Sequence, residues 1–209
     1  YSQIDLRVLA HISNCESLIK AFNESEDIHT AVASDIFGVP KETVTKNMRR
    51  TAKAVIFGIV YGISSYGLGE NLDIPANEAK KYIDKYLSLY PGVKKYMDDV
   101  VLEAKRDGFV RTLMGRKRTI DELKNTNYMI RQAGERIALN TPIQGTSADI
   151  IKKAMVDIEE AFKKSNIKSK MILQVHDELV FDVLKEEREI VKPIIKEVME
   201  NICALDIPL

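Results

Sequence analysis

The 209-residue sequence is poor in several features that mark specialised classes of protein. Its only two cysteines, Cys15 and Cys203, lie far apart and form no Cys-x-x-Cys pair. This pattern excludes a disulfide framework and a cysteine metal site, and we expect two buried thiols instead. The 31 basic and 31 acidic residues leave no excess charge of either sign, which excludes a nonspecific polycation.

Long apolar segments are also missing. The longest uncharged run, residues 54–69, is shorter than the roughly 20 apolar residues that a membrane-spanning helix needs. An apolar content of 45% with no net charge is instead typical of a globular protein with a buried core, and it excludes a disordered chain. The sequence begins at Tyr1 rather than at a methionine and shows no signal-peptide pattern, so we expect a piece excised from a longer protein.

Helical periodicity dominates what is present. Apolar residues recur at helical spacing over most of the chain, and Gly38, Pro91 and Gly108 mark helix ends. We expect Pro142 to interrupt one helix, and residues 146–149 resemble a capping box that starts the next. Helices are predicted at residues 4–12, 28–37, 43–61, 75–90, 93–106, 128–140, 146–164 and 186–204.

Two short β-hairpins complete the predicted fold. The first turns around Gly115, and the second turns at His176, Asp177 and Glu178, the only residues between two β-rich runs. The sequence therefore predicts a predominantly helical, mixed α/β (α+β) protein that forms one compact unit. The strands are predicted at residues 109–114, 116–120, 171–175 and 179–183.

The balanced total charge conceals local clusters. Basic residues gather between residues 46 and 53 and between residues 105 and 118, whereas residues 16–35 are acidic. Basic patches of this kind can bind the phosphates of a nucleotide or a nucleic acid. The alternative, that these clusters are solvated faces of helices, stays open from charge alone.

The predicted helix at residues 43–61 carries Arg49, Lys53, Phe57 and Tyr61 at every fourth position. Each step of four turns about 400°, so the four side chains lie within an arc of roughly 120° on one face. The cations can bind phosphates and the rings can stack on a base, which matches the two ends of a nucleoside triphosphate. The alternative is an aromatic stripe packed into a core, but it does not account for the two cations.

Two adjacent carboxylates, Asp177 and Glu178, lie at the tip of the second hairpin. Oxygen ligands of this kind suit Mg²⁺, which is often shared with substrate phosphates. A charged tip between apolar strands would be costly to bury without a cation or water. The alternative is an acidic turn in solvent, and this pattern alone does not separate the two.

Four segments of the chain resemble the polymerase domain of family A DNA polymerases, the bacterial DNA polymerase I type. Residues 1–7, Tyr-Ser-Gln-Ile-Asp-Leu-Arg, resemble motif A, which reads Asp-Tyr-Ser-Gln-Ile-Glu-Leu-Arg in that family. Residues 49–62 resemble motif B on the fingers helix, and residues 174–180 resemble motif C in the palm. Residues 140–146 are similar to the segment that contacts primer–template DNA. The order and spacing also agree, and the resemblance covers essentially the whole chain.

This resemblance implies template-directed DNA synthesis, in which two Mg²⁺ ions assist the transfer of a dNTP onto a primer. It implies that Asp177 and the backbone carbonyl of Tyr1 bind metal and that Glu178 supports this catalytic site. Lys53 is implied both in triphosphate binding and in protonating the leaving pyrophosphate. The implied nucleotide-binding residues are Gln3, Asp5, His29, Arg49, Lys53, Phe57 and Tyr61. The implied DNA-binding residues are Tyr66, Arg136, Asn140, Gln144 and His176, with Gln3 also near the primer terminus.

The sequence departs from the family pattern in two places. The family's motif A begins with a metal-binding aspartate, whereas this chain begins one residue later. Without that carboxylate and the upstream thumb, we expect these 209 residues alone to bind Mg²⁺ poorly and to be inactive. Asp5 stands where the family usually has a glutamate that excludes the ribose 2′-hydroxyl and bonds to Tyr61. Because aspartate is one methylene shorter, we expect weaker exclusion of ribonucleotides.

The resemblance also implies a domain organisation and partners. Residues 1–40 would begin the palm with its first helices, residues 41–125 would form mainly the fingers, and residues 126–209 would return to the palm. Primer–template DNA and dNTPs are the implied partners, with no membrane. We expect a monomer in the cytoplasm at the bacterial nucleoid, and an organellar relative also fits.

Two other interpretations stay open. A polymerase-derived module that binds nucleic acid without catalysis would share the basic patches and the aromatic stripe. An HD-type metal phosphohydrolase would use the His176–Asp177 pair with His11 and His29, but those enzymes place the pair on a helix rather than between β-rich runs.

Overall fold

The computed structural model describes residues 1–24 and 27–209, in which seven α-helices are followed by an antiparallel hairpin, an eighth helix, a second hairpin and a ninth helix. The predicted class, a predominantly helical mixed α/β protein, is confirmed. None of the helices in these two ranges is long and apolar enough to cross a membrane. The helices are α1 Ile4–Ile12, α2 Glu16–Asn23, α3 Ile28–Phe37, α4 Lys46–Val60, α5 Ser65–Leu72, α6 Ala76–Leu89, α7 Pro91–Asp107, α8 Tyr128–Lys164 and α9 Arg188–Glu200, and the strands are β1 Phe109–Arg111, β2 Lys117–Thr119, β3 Lys170–Val175 and β4 Glu178–Asp182.

Local capping sets the boundaries of α3 and α4. The carboxylate of Asp27 accepts a hydrogen bond from the backbone N–H of His29 at the start of α3, and Gly38 ends that helix with a φ of 66°. The hydroxyl of Thr45 accepts from the backbone N–H of Met48 in the same way. Helix α4 therefore begins at Lys46 rather than at residue 43 as predicted, and a separate 3₁₀ turn precedes it.

The longest helix, α8, corrects two predictions. It runs unbroken through Pro142, so the predicted interruption at Pro142 and the predicted capping box at residues 146–149 are both wrong. Pro142 is buried, and the Thr146 hydroxyl donates to the Pro142 carbonyl one turn earlier in the same helix. A proline inside a helix costs about 3 kcal/mol. The packing of α8 against α1, α7 and α9 offsets this cost, which local sequence rules do not anticipate.

Other elements differ from the predictions mainly in extent. Helix α9 ends at Glu200 rather than near residue 204, and the periodicity misses the two short helices α2 and α5. The strands of the first hairpin are three residues long, shorter than predicted. Both cysteines are free; Cys15 is buried as expected, whereas Cys203 is only half-buried.

The apolar core fixes the position of α4. Val55, Ile56 and Ile59 of this helix are buried in a cluster that also includes residues of α1, α2, α3, α6 and α8. A second cluster joins α7 and β1 to α8, and a third holds the β3–β4 hairpin and α9 against the end of α8. The largely opposite face of α4 is left open toward α3, the start of the chain and the tip of the β3–β4 hairpin.

Candidate nucleotide and nucleic-acid site

Three distant segments of the chain meet around an open pocket of about 320 Å³. The start of the chain with α1, the pair α3 and α4, and the tip of the β3–β4 hairpin each supply part of the wall. A larger cavity of about 820 Å³ between α7 and β1 is lined by other residues. The smaller pocket is lined by Gln3, Ile4, Asp5, Leu6, His29, Arg49, Lys53, Phe57 and Asp177.

The four side chains at every fourth position, Arg49, Lys53, Phe57 and Tyr61, form a stripe along the open face of α4 and its C-cap. Arg49 and Lys53 are exposed, Phe57 is half-buried, and Tyr61 keeps 39% of its surface exposed. The residues that α4 buries lie mainly on its other side. The four side chains are therefore available to a ligand, unlike an aromatic stripe packed into a core.

His29, Phe57 and Tyr61 form a row of rings along this face. The ring centroid of Phe57 lies 6.0 Å from that of His29 and 5.9 Å from that of Tyr61. The ammonium group of Lys53 lies 5.8 Å from the Phe57 centroid, within range of a cation–π interaction. A base can stack on such rings while the neighbouring cations meet phosphates.

Arg49 forms a bidentate ion pair with Asp27. Its Nε donates to Oδ2 at 2.7 Å and its Nη2 donates to Oδ1 at 3.2 Å. These hydrogen bonds are the largest cause that lowers the pKa of Asp27 to about 2, so the carboxylate is ionised at neutral pH. Sequence analysis missed Asp27 as a site residue, because its position marks only a helix N-cap.

His29 is buried at the edge of the pocket. Its Nδ1 has no hydrogen-bond partner within residues 1–24 and 27–209. Burial, followed by the positive charge of Arg49, lowers the pKa of His29, so the neutral ring is favoured. Because buried polar atoms usually find a partner, the free ring nitrogen is available to a ligand.

Asp5 is held by two hydroxyl groups. The Tyr61 hydroxyl donates to Oδ2 at 3.2 Å, and the Ser147 hydroxyl donates to Oδ1 at 2.6 Å. Burial and then the Asp5 charge raise the pKa of Tyr61 to about 12, which keeps its hydroxyl protonated as a donor. The contact from α8 is missed by sequence reasoning, since residues 146–149 have the pattern of a helix start.

The hairpin tip brings Asp177 to the pocket, with Glu178 beginning the next strand. The backbone nitrogen of Tyr1 donates to the Asp177 carbonyl at 2.8 Å, so the start of the chain lies against the tip. Carboxylate and carbonyl oxygens are the donors that Mg²⁺ prefers. In the described ranges no group of three or more His, Cys, Asp or Glu side chains is arranged to hold a metal ion.

The whole length of the chain, residues 1–209, matches the sequence profile of DNA polymerase family A. The chain belongs to this family.

Individual members of family A agree with this assignment. The DNA polymerase I of Bacillus subtilis (strain 168) is 57% identical over 209 residues, and that of Geobacillus stearothermophilus is 52% identical. Each match covers 100% of this chain and 24% of the relative, so the chain spans about a quarter of the length of these curated relatives. A solved structure of the POL domain of Pol1 from M. smegmatis, in complex with DNA primer-template and dNTP, superposes with a TM-score of 0.96 at 45% identity. That match covers 100% of this chain and 37% of the solved chain.

Two of the residues that resemblance to family A assigns to DNA lie close to the C-terminal end of α4. The Asn140 side chain donates to the Tyr61 carbonyl at 3.4 Å. Gly62 lies against Arg136, where an added Cβ would come within 2.9 Å of the Arg136 Cγ. These two contacts join the C-terminal end of the stripe to α8. The remaining three residues, Tyr66, Gln144 and His176, are exposed and lie outside the lining of the pocket.

Proposed function

We propose that this chain forms the nucleotide-insertion part of a DNA polymerase, which adds dNTPs to a primer 3′ end as a template directs. The observation that carries the proposal is the pocket whose lining includes Arg49, Lys53 and Phe57 of α4 together with Asp177 of the hairpin tip. Transfer of a nucleotidyl group needs phosphate-binding cations, a stacking surface and metal-binding oxygens in one place. Membership of family A and the likeness to a POL domain bound to DNA and dNTP support the same function.

The nucleotide is proposed to lie along α4. Arg49 and Lys53 bind its phosphates, the free ring nitrogen of His29 donates or accepts at the same end, and Phe57 lies against the base or sugar. Lys53 is also proposed to give a proton to the leaving pyrophosphate. Gln3, which lines the pocket, contacts the incoming pair, and Tyr61 closes the far end beside Asp5.

Metal binding is proposed at the hairpin tip. Family A DNA polymerases are metal-dependent in general. Asp177 and the backbone carbonyl of Tyr1 would hold Mg²⁺, with Glu178 in support, and two bound ions would stabilise charge on the attacking and leaving oxygens. The two proposed ligands are neighbours in the fold, because the backbone nitrogen of Tyr1 donates to the backbone carbonyl of Asp177 at 2.8 Å.

DNA is proposed to lie across the surface formed by α8 and the hairpin. Arg136, Asn140, Gln144 and His176 contact the primer–template, and Tyr66 stacks near the template base. In this arrangement residues 41–125 act as fingers, and residues 1–40 and 126–209 belong to the palm. We further expect the polymerase to act as a monomer at the bacterial nucleoid.

The first experiment replaces Asp177 in the full-length polymerase that carries these residues. Asp177→Asn keeps the shape of the side chain but removes its charge, so primer extension should slow by about 100-fold or more. Duplex DNA affinity, measured by fluorescence anisotropy, should change little.

The matched control is Asp182→Asn, an exposed aspartate at the far end of β4, the strand that follows Asp177. It should extend primers at the parental rate. Normal extension by Asp177→Asn would contradict the metal-binding role. A parent that binds DNA but extends no primer would favour a non-catalytic nucleic-acid-binding module instead.

Residues 1–209 by themselves are proposed to be inactive, because they contain one of the two motif A and motif C aspartates that family A resemblance implies. A polypeptide of these residues should extend primers at least about 100-fold more slowly than the full-length polymerase. Robust Mg²⁺-dependent synthesis by that polypeptide would contradict this expectation.

A further inference from the structure

The cation at the phosphate end of the pocket already has an anionic partner. Arg49 donates through Nε and Nη2 to both carboxylate oxygens of Asp27, at 2.7 Å and 3.2 Å. This edge of a guanidinium is one that binds carboxylates and phosphates in the same bidentate geometry. A phosphate that approaches the same edge must therefore replace the carboxylate.

Asp27 is held in place from its own helix. Its carboxylate also accepts from the Thr30 hydroxyl at 2.7 Å and from the His29 N–H at 3.2 Å, because it caps α3. Helix α3 is anchored by buried residues such as Val32 and Ile36. The carboxylate therefore stays beside the pocket whether or not Arg49 points toward it.

The charges at this end add up to less than the sequence indicates. Arg49 and Lys53 contribute two positive charges, Asp27 contributes one negative charge, and buried His29 favours its neutral form. The Asp27 carboxylate therefore offsets one of these two positive charges, and an anionic ligand also meets repulsion from Asp27 at short range. Both effects oppose nucleotide binding.

We propose that Asp27 is a positioning residue that competes with the nucleoside triphosphate for Arg49 and so sets the affinity of the pocket for nucleotides. A triphosphate brings enough anionic oxygens to exchange with the carboxylate, whereas the empty pocket keeps Arg49 paired. The inference rests on the proposed function, because it takes the triphosphate as the ligand of Arg49.

The test is Asp27→Asn in the full-length polymerase. Asparagine caps a helix about as well as aspartate, so the change removes the charge and leaves the start of α3 in place. Single-turnover incorporation of one correct dNTP gives the dNTP Kd separately from the maximal rate. The dNTP Kd should fall by about two- to fivefold, while the maximal rate stays the same. This range is the one expected for an ion pair in which both side chains are more than 40% exposed. The inhibition constant of pyrophosphate should fall in the same direction.

Two further variants connect the effect to Arg49. In an Arg49→Ala background, Asp27→Asn should lose most of its gain in dNTP affinity, since the competition is then absent. Asp107→Asn removes the carboxylate of an exposed arginine pair at the end of α7 and should leave the Kd unchanged. If Asp27→Asn fails to fold, Asp27→Ser supplies a second uncharged cap.

An unchanged or weaker dNTP affinity in both uncharged variants would overturn the proposal. So would an equal gain in affinity in the presence and absence of Arg49. A parent enzyme that incorporates no dNTP would instead contradict the proposed function, which keeps the two failures distinguishable.

Discussion

At the scale of single residues, Asp5 shows how one side chain depends on two distant partners. Its carboxylate is shorter than the glutamate usual in the family, and hydroxyl groups of Tyr61 and Ser147 bond to its two oxygens. Ser147 is buried on α8, so it also links the Asp5 side of the pocket to the longest helix. We expect Ser147 to keep the short carboxylate against Tyr61.

Ser147→Ala should weaken the discrimination of the full-length polymerase against ribonucleotides. Loss of one hydrogen bond to a charged group is worth about 1.5–3 kcal/mol at most, and the remaining Tyr61 contact reduces the effect. The ratio of dNTP to rNTP incorporation efficiency should fall by roughly two- to tenfold. Steady-state competition between a dNTP and its rNTP measures this ratio.

Ser165→Ala, at the exposed end of the same helix, is the control and should not alter the ratio. Asp5→Glu should raise the ratio, because the longer side chain restores the family length. If neither Asp5→Glu nor Ser147→Ala changes sugar discrimination, this account of Asp5 is wrong.

The charge of Asp27 has a defined pH dependence. Hydrogen bonds from Arg49 lower its pKa from 3.8 to about 2 in the folded protein. The folded state therefore binds fewer protons than the unfolded state between these values, and the resulting stability is present above about pH 4 and lost as the pH falls toward 2. From about pH 6 to 9 the carboxylate stays ionised.

The ratio of dNTP Kd values between the parent and Asp27→Asn should accordingly be constant from about pH 6 to 9. Single-turnover incorporation at several pH values and fixed ionic strength measures it. A ratio that drifts toward one within this range would show that Asp27 is not permanently ionised, contrary to its contact with Arg49.

At the scale of elements, the turn after α4 determines how the stripe meets α8. Gly62 has a φ of 65°, and an added Cβ there would lie 2.9 Å from the Cγ of Arg136. Gly38 has a nearly equal φ of 66°, but an added Cβ there would meet no atom within 4 Å. An alanine would therefore suffer the same backbone strain at either position, but only at Gly62 would it also clash with Arg136.

Gly62→Ala should cost more stability than Gly38→Ala in the full-length polymerase. Left-handed backbone costs an alanine about 1–2 kcal/mol at either position, and displacement of Arg136 adds to this at Gly62. Thermal unfolding compares the two variants. Primer–template affinity should fall only for Gly62→Ala, since only that change displaces Arg136. An equal fall in primer–template affinity for both variants would show that Arg136 has no role in binding DNA.

Elements were predictable where local chemistry alone sets their limits. The helix at residues 28–37 matches the structure because Gly38 has the left-handed conformation that ends it. The unbroken α8 could not be predicted, because buried contacts outside the helix compensate for Pro142. The short helices α2 and α5 span only two turns each, which is too little periodicity to detect.

At the scale of the whole molecule, the pocket is made of segments that are far apart in the chain. Asp5 and Ser147 are 142 residues apart, and Tyr1 and Asp177 are 176 apart. Spacing and chemistry alone identified the residues of the stripe and of the hairpin tip as candidates. They did not predict that the stripe and the tip lie beside the same pocket. Resemblance to family A polymerases supplied that expectation. The Asp27–Arg49 pair, which joins two helices without any shared periodicity, became visible only in the folded chain.

The central claim is that the pocket along α4 is where a dNTP is inserted. Single-turnover incorporation by Lys53→Ala in the full-length polymerase tests it most directly, with Lys81→Ala, an exposed lysine on α6, as the control. Because Lys53 is proposed both to bind the triphosphate and to protonate the pyrophosphate, incorporation should fall by about 100-fold or more. Duplex DNA affinity should stay within about twofold, since Lys53 is not proposed to contact the duplex. Incorporation by Lys53→Ala at the rate of the control would contradict the account.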